Sequence, residues 1–481
     1  MKLSKLLKKA ELLNCYYIYD HKINGITDNS KDVKANYLYF SLNNNTAYID
    51  EAINKGAKSI VLRERIGKEK DGINYLYIND IKKCLALFLS LFYRKIIKQF
   101  YFIGVTGTNG KTTVTTLLYD FLKEMGKKPL LIGTNGFYYE KSYEENVNTT
   151  PSIVKTYEYL ARMRALGARY VVMEVSSIGL AEERVTYLPF NMAIGTNLTQ
   201  DHLDYHVNMD NYKYTKARLF EMVKRNAKNV VILNKDDSAY ETFKAFSTAN
   251  VISYAINEEA MFKALNVKAN ATGLTFSVIS EYTVKDLKSN LIGQFNVYNI
   301  LAVLAAVSFL GYKISTFSSF LLKEESVKGR MNIIKARDFN ILLDFAHTPD
   351  SMLQVLKGSK YLCQNALRVV FGCGGNRDKS KRSIMANIAE NYALKTYITN
   401  DNPRDEDMHL IARDIAMGFK GENYEIILDR EEAVTKALNE AMPGDLVAIL
   451  GKGIEKSQII KGVNYPYSDI MVINKWLKGH N

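Results

Sequence analysis

Apolar and polar positions along this chain fall into short blocks that predict an α/β protein. Residues 37–42 (YLYFSL) and 59–62 are apolar, strand-like runs. Residues 50–55 read as part of a helix ended by Gly56, 72–78 as a further strand, and 81–93 as an apolar helix. From residue 98 strands and helices alternate, with strands expected at 128–134, 168–175, 192–197 and 229–233 and helices at 152–166 and 210–224. A polar, charged stretch at 322–330 (LKEESVKGR) reads as a hinge. A third block follows, with strands expected at 340–345, 367–373, 396–400, 424–428 and 445–450. Alternation of this kind predicts mostly parallel sheets covered by helices, with ligands held outside the carboxyl ends of the strands.

One stretch gives the pattern a chemical meaning. Residues 98–118, KQFYFIGVTGTNGKTTVTTLL, run from a β-branched, aromatic strand into Gly107, Thr108, Asn109 and Gly110, then Lys111, Thr112 and Thr113, where a helical pattern begins. Strand, glycine turn and helix N-terminus together make an anion site, because unpaired backbone N–H groups and the helix dipole point at the ligand. Lys111 is placed to reach the outer phosphates of a nucleotide and the Thr112 hydroxyl to ligate Mg²⁺. The strict phosphate-loop pattern has glycine where this chain has Val105. The bland alternative is a glycine-rich strand-to-helix turn with no ligand.

Composition narrows the class. A chain of 481 residues is too long for one core and predicts about three domains. Its net charge of +13 comes from lysines spread along the whole length, which favours a solvated surface and a phosphate-rich small substrate over nucleic acid. The four cysteines, Cys15, Cys84, Cys363 and Cys373, form no CxxC pair, which argues against a zinc ribbon or a disulfide framework and fits a reducing compartment. The N-terminus lacks a signal-peptide pattern, and the longest apolar runs are too short to span a bilayer. A soluble, cytoplasmic protein with no nucleic-acid partner is expected.

Several polar motifs sit just after the expected strands. Glu174 ends an apolar run and is either a Mg²⁺ ligand or a solvated strand-terminal acid. His202 and His206 are spaced four apart, as in a zinc pair, but without the intervening Glu of HExxH. His202 alone near a triphosphate, with His206 structural, is the preferred reading. Lys216, taken by itself, reads as an exposed lysine on a helix. GCGGNRDK at 372–379 is a second glycine loop whose Arg377 can grip a carboxylate, and Asp401-Asn402-Pro403-Arg404 supplies a second candidate arginine in a turn stiffened by proline. Either arginine alone reads as surface. Asn29-Ser30-Lys31 lies in a polar turn that is either a ligand contact or a plain loop.

Together these motifs resemble the Mur ligase family, the ATP-dependent amide-bond ligases of peptidoglycan precursor synthesis. The resemblance is carried in order by GVTGTNGKTT (104–113), NTTP (148–151), MEVSS (173–177), TNLTQDHLDYH (196–206), the YxxxK of Tyr212 to Lys216, GQFNVYN (293–299), GRM (329–331) and DFAHTPDSM (344–352). FGCGGNRDKSKR (371–382), TNDNPRDED (399–407) and GKGIE (451–455) are most similar to the branch that adds the third residue of the stem peptide. DNPR is similar to the version selecting meso-diaminopimelate over L-lysine.

The resemblance implies an N-terminal UDP-substrate domain (1–97), a central ATP-binding domain with a phosphate-loop-type parallel sheet (98–326) and a Rossmann-like C-terminal domain that brings the amino acid (327–481). It implies ATP at residues 107–113, with Asn296 and Asn299 near adenine and Arg330, Asp344 and His347 completing the nucleotide site. Two Mg²⁺ ions would be held by Thr112, Glu174, His202 and Lys216, the last as a carbamate formed with CO₂ (N6-carboxylysine). Lys111, Lys216, Glu174 and His202 would carry catalysis. Ser30, Thr149, Thr150, Ser176 and Arg184 would bind UDP-N-acetylmuramoyl-dipeptide. Arg377, Asp401, Asn402, Pro403, Arg404, Gly451 and Glu455 would bind diaminopimelate. The enzyme would be a monomer serving cell-wall biogenesis, and through it cell shape and division.

The chain departs from the family pattern at Ile178 and Ile454, where histidine is common, at Asn29-Ser30-Lys31, where Asp-Ser-Arg is usual, and at Phe345, where tyrosine is frequent. The loop after Ser41 is also short. None of these removes a phosphate, metal or carbamate residue. The rival readings are a ligase of the same family using L-lysine or another acceptor, and a non-catalytic paralogue that binds nucleotide. A generic kinase or GTPase leaves the later motifs unexplained and lacks a guanine-reading NKxD.

Overall fold

The computed structural model describes every residue except 13–16, 68, 147, 281–282, 325 and 481. Cys15 lies outside the described residues. The chain is an α/β protein that forms two compact units. One comprises Met1–Val105, Leu122–Ala193 and Arg218–Asn229, the other Thr106–Phe121, Ile194–Ala217 and Val230–Asn481.

In the first unit, Gly25–Thr27, Tyr37–Phe40, Ser59–Leu62 and Asn74–Tyr77 form a parallel four-stranded sheet in that order. Its third strand, SIVL, is buried throughout, as expected of a parallel strand covered on both faces. The helix Ile81–Phe92 starts where the Asp80 side chain accepts from Lys83 N and buries Ile81, Leu85, Phe88 and Leu89. A second sheet in this unit runs Phe190–Gly195, Tyr101–Thr106, Tyr170–Glu174, Pro129–Gly133, Gly136–Tyr139, Ser142–Glu144. Tyr101–Thr106, Tyr170–Glu174 and Pro129–Gly133 pair in parallel, and the last two strands add antiparallel turns. The helix Leu3–Lys9, the strand Gly25–Thr27 and the two antiparallel strands were not expected from the pattern.

In the second unit, Val230–Asn234, Asn250–Ala255 and Phe262–Asn270 are parallel, and Gly273–Ser280 and Thr283–Ser289 return antiparallel beside them. The buried helix Asn296–Phe309 follows. A six-stranded sheet is ordered Asn332–Lys335, Asn340–Asp344, Leu446–Leu450, Leu367–Phe371, Lys395–Ile398, Tyr424–Ile426, parallel except at its first pair. Alternate residues of each strand feed two cores. Leu342, Val369, Phe371 and Ala448 pack with Met352, Leu356 and Met385, while Ile341, Leu343, Val370 and Val447 pack with Ala433, Val434 and Ile473. Observed bounds lie within a few residues of the expected strands. The stretch read as a hinge carries a bridge between Val327 and Arg330. No helix among the described residues is long and apolar enough to cross a membrane.

Candidate active site

The glycine loop follows the strand Tyr101–Thr106 directly. Gly107 and Gly110 have φ of 149° and 83°, and a Cβ at either would overlap Thr196 Oγ1 or Asn299 Oδ1. Only glycine lets the backbone follow this path. Residues 196–199 prop the loop. Asn197 O accepts from Thr108 N at 2.8 Å, Asn197 Oδ1 accepts from Asn109 N at 2.9 Å, and Thr196 Oγ1 donates to Asn109 O at 2.6 Å. Lys111 opens the helix Lys111–Glu124 and folds back to donate to Gly107 O and Thr108 O, both at 2.9 Å. Those carbonyls hold an ammonium that phosphate oxygens would draw outward.

Residues far along the sequence meet this loop. Arg330 Nη2 donates to Thr112 Oγ1 at 3.0 Å, and its guanidinium lies 4.8 Å from the centre of the Phe345 ring. Phe345 thus keeps the aromatic face that a tyrosine would present. Asp344 accepts from the N–H groups of Met331 and Ala346, each at 2.7 Å; burial pushes its pKa up, against the pull of Arg330. Asn109 Nδ2 donates to Asp350 Oδ2 at 2.8 Å, and Asn299 Nδ2 to Asn296 Oδ1 at 2.8 Å.

His202 has φ 54°, a left-handed conformation, at the N-terminus of the short helix Leu203–His206. Burial above all, then nearby Lys216, His347 and Lys111, holds its pKa at about 3 against the opposing pull of Asp201. The ring is therefore neutral at pH 7, and the 3.3 Å approach of its Nε2 to Asp201 Oδ2 is not an ion pair. Its Nδ1 is buried without a hydrogen-bond partner among the described residues. His347, whose Nδ1 lies 2.9 Å from Phe345 O, is held at about 4, mainly by burial and then by Lys381. Asp201 carries the local negative charge. Burial opposes that charge, but His202, Lys381 and His347 together keep its pKa well below the carboxylate range.

Lys216, on the helix Met209–Met222, is not the exposed charge that its own sequence context indicated. It is 1% exposed, donates to Gly107 O at 2.8 Å and lies 4.5 Å above the Tyr212 ring. Burial, then Lys111, drives its pKa well below the ordinary value. The shift favours the uncharged amine, which lies directly under the glycine loop. His206 is also buried, with no hydrogen-bond partner for its Nε2 among the described residues. Among the described residues no three His, Cys, Asp or Glu side chains cluster as a metal site.

The other loops of this unit adjoin the same place. Gln200 Nε2 donates to Asp378 Oδ2 at 3.1 Å, and Lys381 Nζ lies 3.7 Å from Asp201 Oδ1. Arg404, at φ 52°, donates through Nη1 to Gly375 O at 2.9 Å and Asn402 O at 3.3 Å. Burial and the neighbouring Arg377 both lower its pKa, which marks two guanidiniums close enough to repel. Arg377 itself is about 39% exposed and 4.0 Å from Asp204 Oδ2. Pro403 O lies against Gly375, and Asp401 Oδ2 against Gly451, where a side chain would intrude. Asn402 Nδ2 donates to Glu455 Oε2 at 3.1 Å. Such a site pairs clustered cations with an acceptor carboxylate, the complement of an amino acid with more than one carboxylate.

In the first unit, Glu174 is 1% exposed and accepts from Thr134 N at 2.9 Å and Thr134 Oγ1 at 3.1 Å. Thr134 Oγ1 also meets Thr149 Oγ1 at 3.1 Å. Thr150 Oγ1 donates to Glu174 O and accepts from Ser176 N, both at 2.9 Å, while Arg184 Nη1 donates to Thr150 O at 2.9 Å. Thr149, Thr150, Glu174, Ser176 and Arg184 therefore form one network. Ser30 stands apart from it and donates to Glu51 Oε2 at 2.6 Å.

The Mur ligase middle domain family matches residues 105–307, and the Mur ligase glutamate ligase domain family matches 329–453. A UDP-N-acetylmuramoyl-L-alanyl-D-glutamate–2,6-diaminopimelate ligase of Halalkalibacterium halodurans is 36% identical over 98% of this chain and 99% of its own length. The chain belongs to the Mur ligase family. A ligase of the same description from Syntrophomonas wolfei is 37% identical over 100% of this chain and 99% of its own. A solved structure so described, at 27% identity, covers 100% of this chain and 99% of its own with a TM-score of 0.68. A Mur ligase from Thermotoga maritima in complex with ADP shares the fold, with a TM-score of 0.65 at 16% identity, over 94% of this chain and 97% of its own. The expectation of an ATP-dependent, amide-bond-forming ligase is thereby met. Thr196, Asn197, Asp201, Asp350, Lys381 and Lys452 belong to the site's framework without having been singled out, although all of them lie inside motifs that carry the resemblance.

Proposed function

We propose that the chain joins meso-diaminopimelate to the terminal carboxyl of UDP-N-acetylmuramoyl-L-alanyl-D-glutamate in peptidoglycan precursor synthesis, cleaving ATP to ADP and phosphate. The observation that carries the amino-acid assignment is Arg404, pinned by two backbone carbonyls beside Arg377 and facing the Asn402–Glu455 pair. An arginine with its counter-ion missing penalises a substrate without the second carboxylate, which is how lysine would be refused.

The residues present fit both absent groups. His202 Nδ1 and the Thr112 hydroxyl would hold a divalent cation that neutralises charge on transferring phosphoryl oxygens, and Glu174 enters this ligand set through the resemblance alone. The lowered pKa of buried Lys216 favours the uncharged amine that adds CO₂, and the resulting carbamate would supply the negative oxygen that the local histidines cannot. Within that setting, Lys111 would leave the loop carbonyls for the γ-phosphate as it passes to the substrate carboxylate, giving an acyl phosphate. Arg377, Arg404 and Glu455 would hold diaminopimelate so that its amine meets the acyl carbon, and phosphate would leave from the tetrahedral adduct. The contacts Asn109–Asp350, Arg330–Thr112 and Gln200–Asp378 favour a covered loop from which water is excluded. A cytoplasmic monomer with functional segments 1–97, 98–326 and 327–481 accompanies this reading.

The test supplies purified protein with ATP, Mg²⁺, meso-diaminopimelate and the UDP-dipeptide carrying ¹⁸O in its terminal carboxylate. UDP-tripeptide should form, and the released phosphate should carry ¹⁸O. No tripeptide overturns the substrate assignment, and unlabelled phosphate overturns the acyl phosphate.

A further inference from the structure

We propose that Lys452 is a positioning residue of the amino-acid site, its fully buried ammonium fixing the two polar groups, Asn402 and Glu455, that meet the incoming amino acid. The proposal rests on the reading of those two residues given above.

Lysine is rarely buried completely unless it is paired. Lys452 is 0% exposed and donates to Asn402 Oδ1 at 3.1 Å and Glu455 Oε2 at 2.7 Å. These partners sit on loops that follow the strands Lys395–Ile398 and Leu446–Leu450. Those strands are not neighbours, because Leu367–Phe371 lies between them in the sheet. One ammonium thus spans two loops whose strands are not neighbours, beside the bridge that pairs Arg404 with Ile460.

The donor pattern sets the orientation of both groups. Asn402 Oδ1 takes Lys452 Nζ and also Ile459 N at 2.9 Å, so the carbonyl end of the amide is saturated and the NH₂ end must face Glu455. Glu455 Oε2 takes both Lys452 and Asn402, while its Oε1 has no hydrogen-bond partner among the described residues. With the Glu455 side chain 37% exposed, that oxygen remains available to accept from a substrate ammonium. Without the lysine, a partly exposed carboxylate would turn to water and release the Asn402 amide with it.

The experiment compares wild type with Lys452→Met, which keeps the length of the stem, and Lys452→Gln, which keeps a donor without the charge. KM is measured separately for diaminopimelate, ATP and the UDP-dipeptide. In Lys452→Met the diaminopimelate KM should rise about 30-fold or more. The other two constants should stay near wild type, with kcat at saturating diaminopimelate falling less than KM rises. Lys452→Gln should lie between. An unchanged diaminopimelate KM, or a parallel rise in all three constants, overturns the proposal. Where Lys452→Met does not fold, Lys452→Gln decides by the same criterion. If wild-type protein accepts a different amino acid, the substrate reading fails on its own, and the KM comparison is made with the accepted one.

Discussion

Replacing Glu406 by glutamine isolates one device that shapes the amino-acid loops. The Glu406 carboxylate meets Arg382 in a two-pronged pair, Nη1 to Oε1 and Nη2 to Oε2, both at 2.8 Å, with the guanidinium 1% and the carboxylate 13% exposed. It also accepts from Asn376 N at 3.1 Å, which ties the glycine loop at 372–379 to the turn at 401–404. The Arg382 hydrogen bonds, more than any other contact, hold the Glu406 pKa down at about 2. Against an unfolded value near the model-peptide carboxylate, at 1.36 kcal/mol per pH unit, the pair contributes at most about 3 kcal/mol. Asp414 still holds Arg382 in the variant, at 2.8 Å, so a loss of about 2 kcal/mol is expected at pH 7. For a domain of this size that is a fall of about 4–8 °C in melting temperature.

The sign of the pH dependence follows from the depressed folded value. The contribution is fully present above the unfolded pKa and is lost as pH falls through the range down to about 2. Melting of wild type and Glu406→Gln, compared at pH 7, 5, 4 and 3, should therefore show a constant gap down to pH 5 that narrows below it. A gap under about 0.5 kcal/mol at pH 7, the size of an ordinary surface substitution, would refute the reasoning. So would a gap indifferent to acid.

Lys216→Ala should abolish turnover, and wild type supplied with ¹³C-bicarbonate should show a carbamate carbon resonance that the variant lacks; retained turnover would dismiss the carbamate role. Arg404→Ala should raise the diaminopimelate KM about 100-fold and leave the ATP KM unchanged, as for an unpaired charged contact. Equal changes in both constants would place Arg404 outside the amino-acid site. Gly110→Ala puts a Cβ against Asn299 at a φ of 83°, so ATP binding measured calorimetrically should be lost while the fold survives by circular dichroism. Wild-type affinity in that variant would remove the loop from the nucleotide site.

The glycine loop between strand and helix was legible because its signals are local: a strand run, two glycines, a lysine and a helix start within about fifteen residues. Strand centres in the last block were legible for the same reason, their buried runs being nearly continuous in the sequence. The antiparallel strands at 262–289 were not. Leu274, Phe276 and Val278 do alternate, but Lys, Asn and Ser on the open face obscure the period. Lys216 shows a harder limit. Its burial depends on the helix packing against Gly107, more than a hundred positions earlier, which no local pattern records. The roles proposed for Arg404 and Glu455 rest on the resemblance, and Lys452, adjacent to both glycines of GKGIE, gave no signal until its ammonium was seen between two loops.

The most direct test of the account is phosphate release from ATP by the purified protein, with UDP-N-acetylmuramoyl-L-alanyl-D-glutamate and each candidate amino acid in turn. Release with meso-diaminopimelate but not with L-lysine is the predicted result. Release with lysine would keep the family and overturn the role given to Arg404. Silence with every acceptor while ATP still binds would contradict the central claim and leave a nucleotide-binding protein without ligase activity.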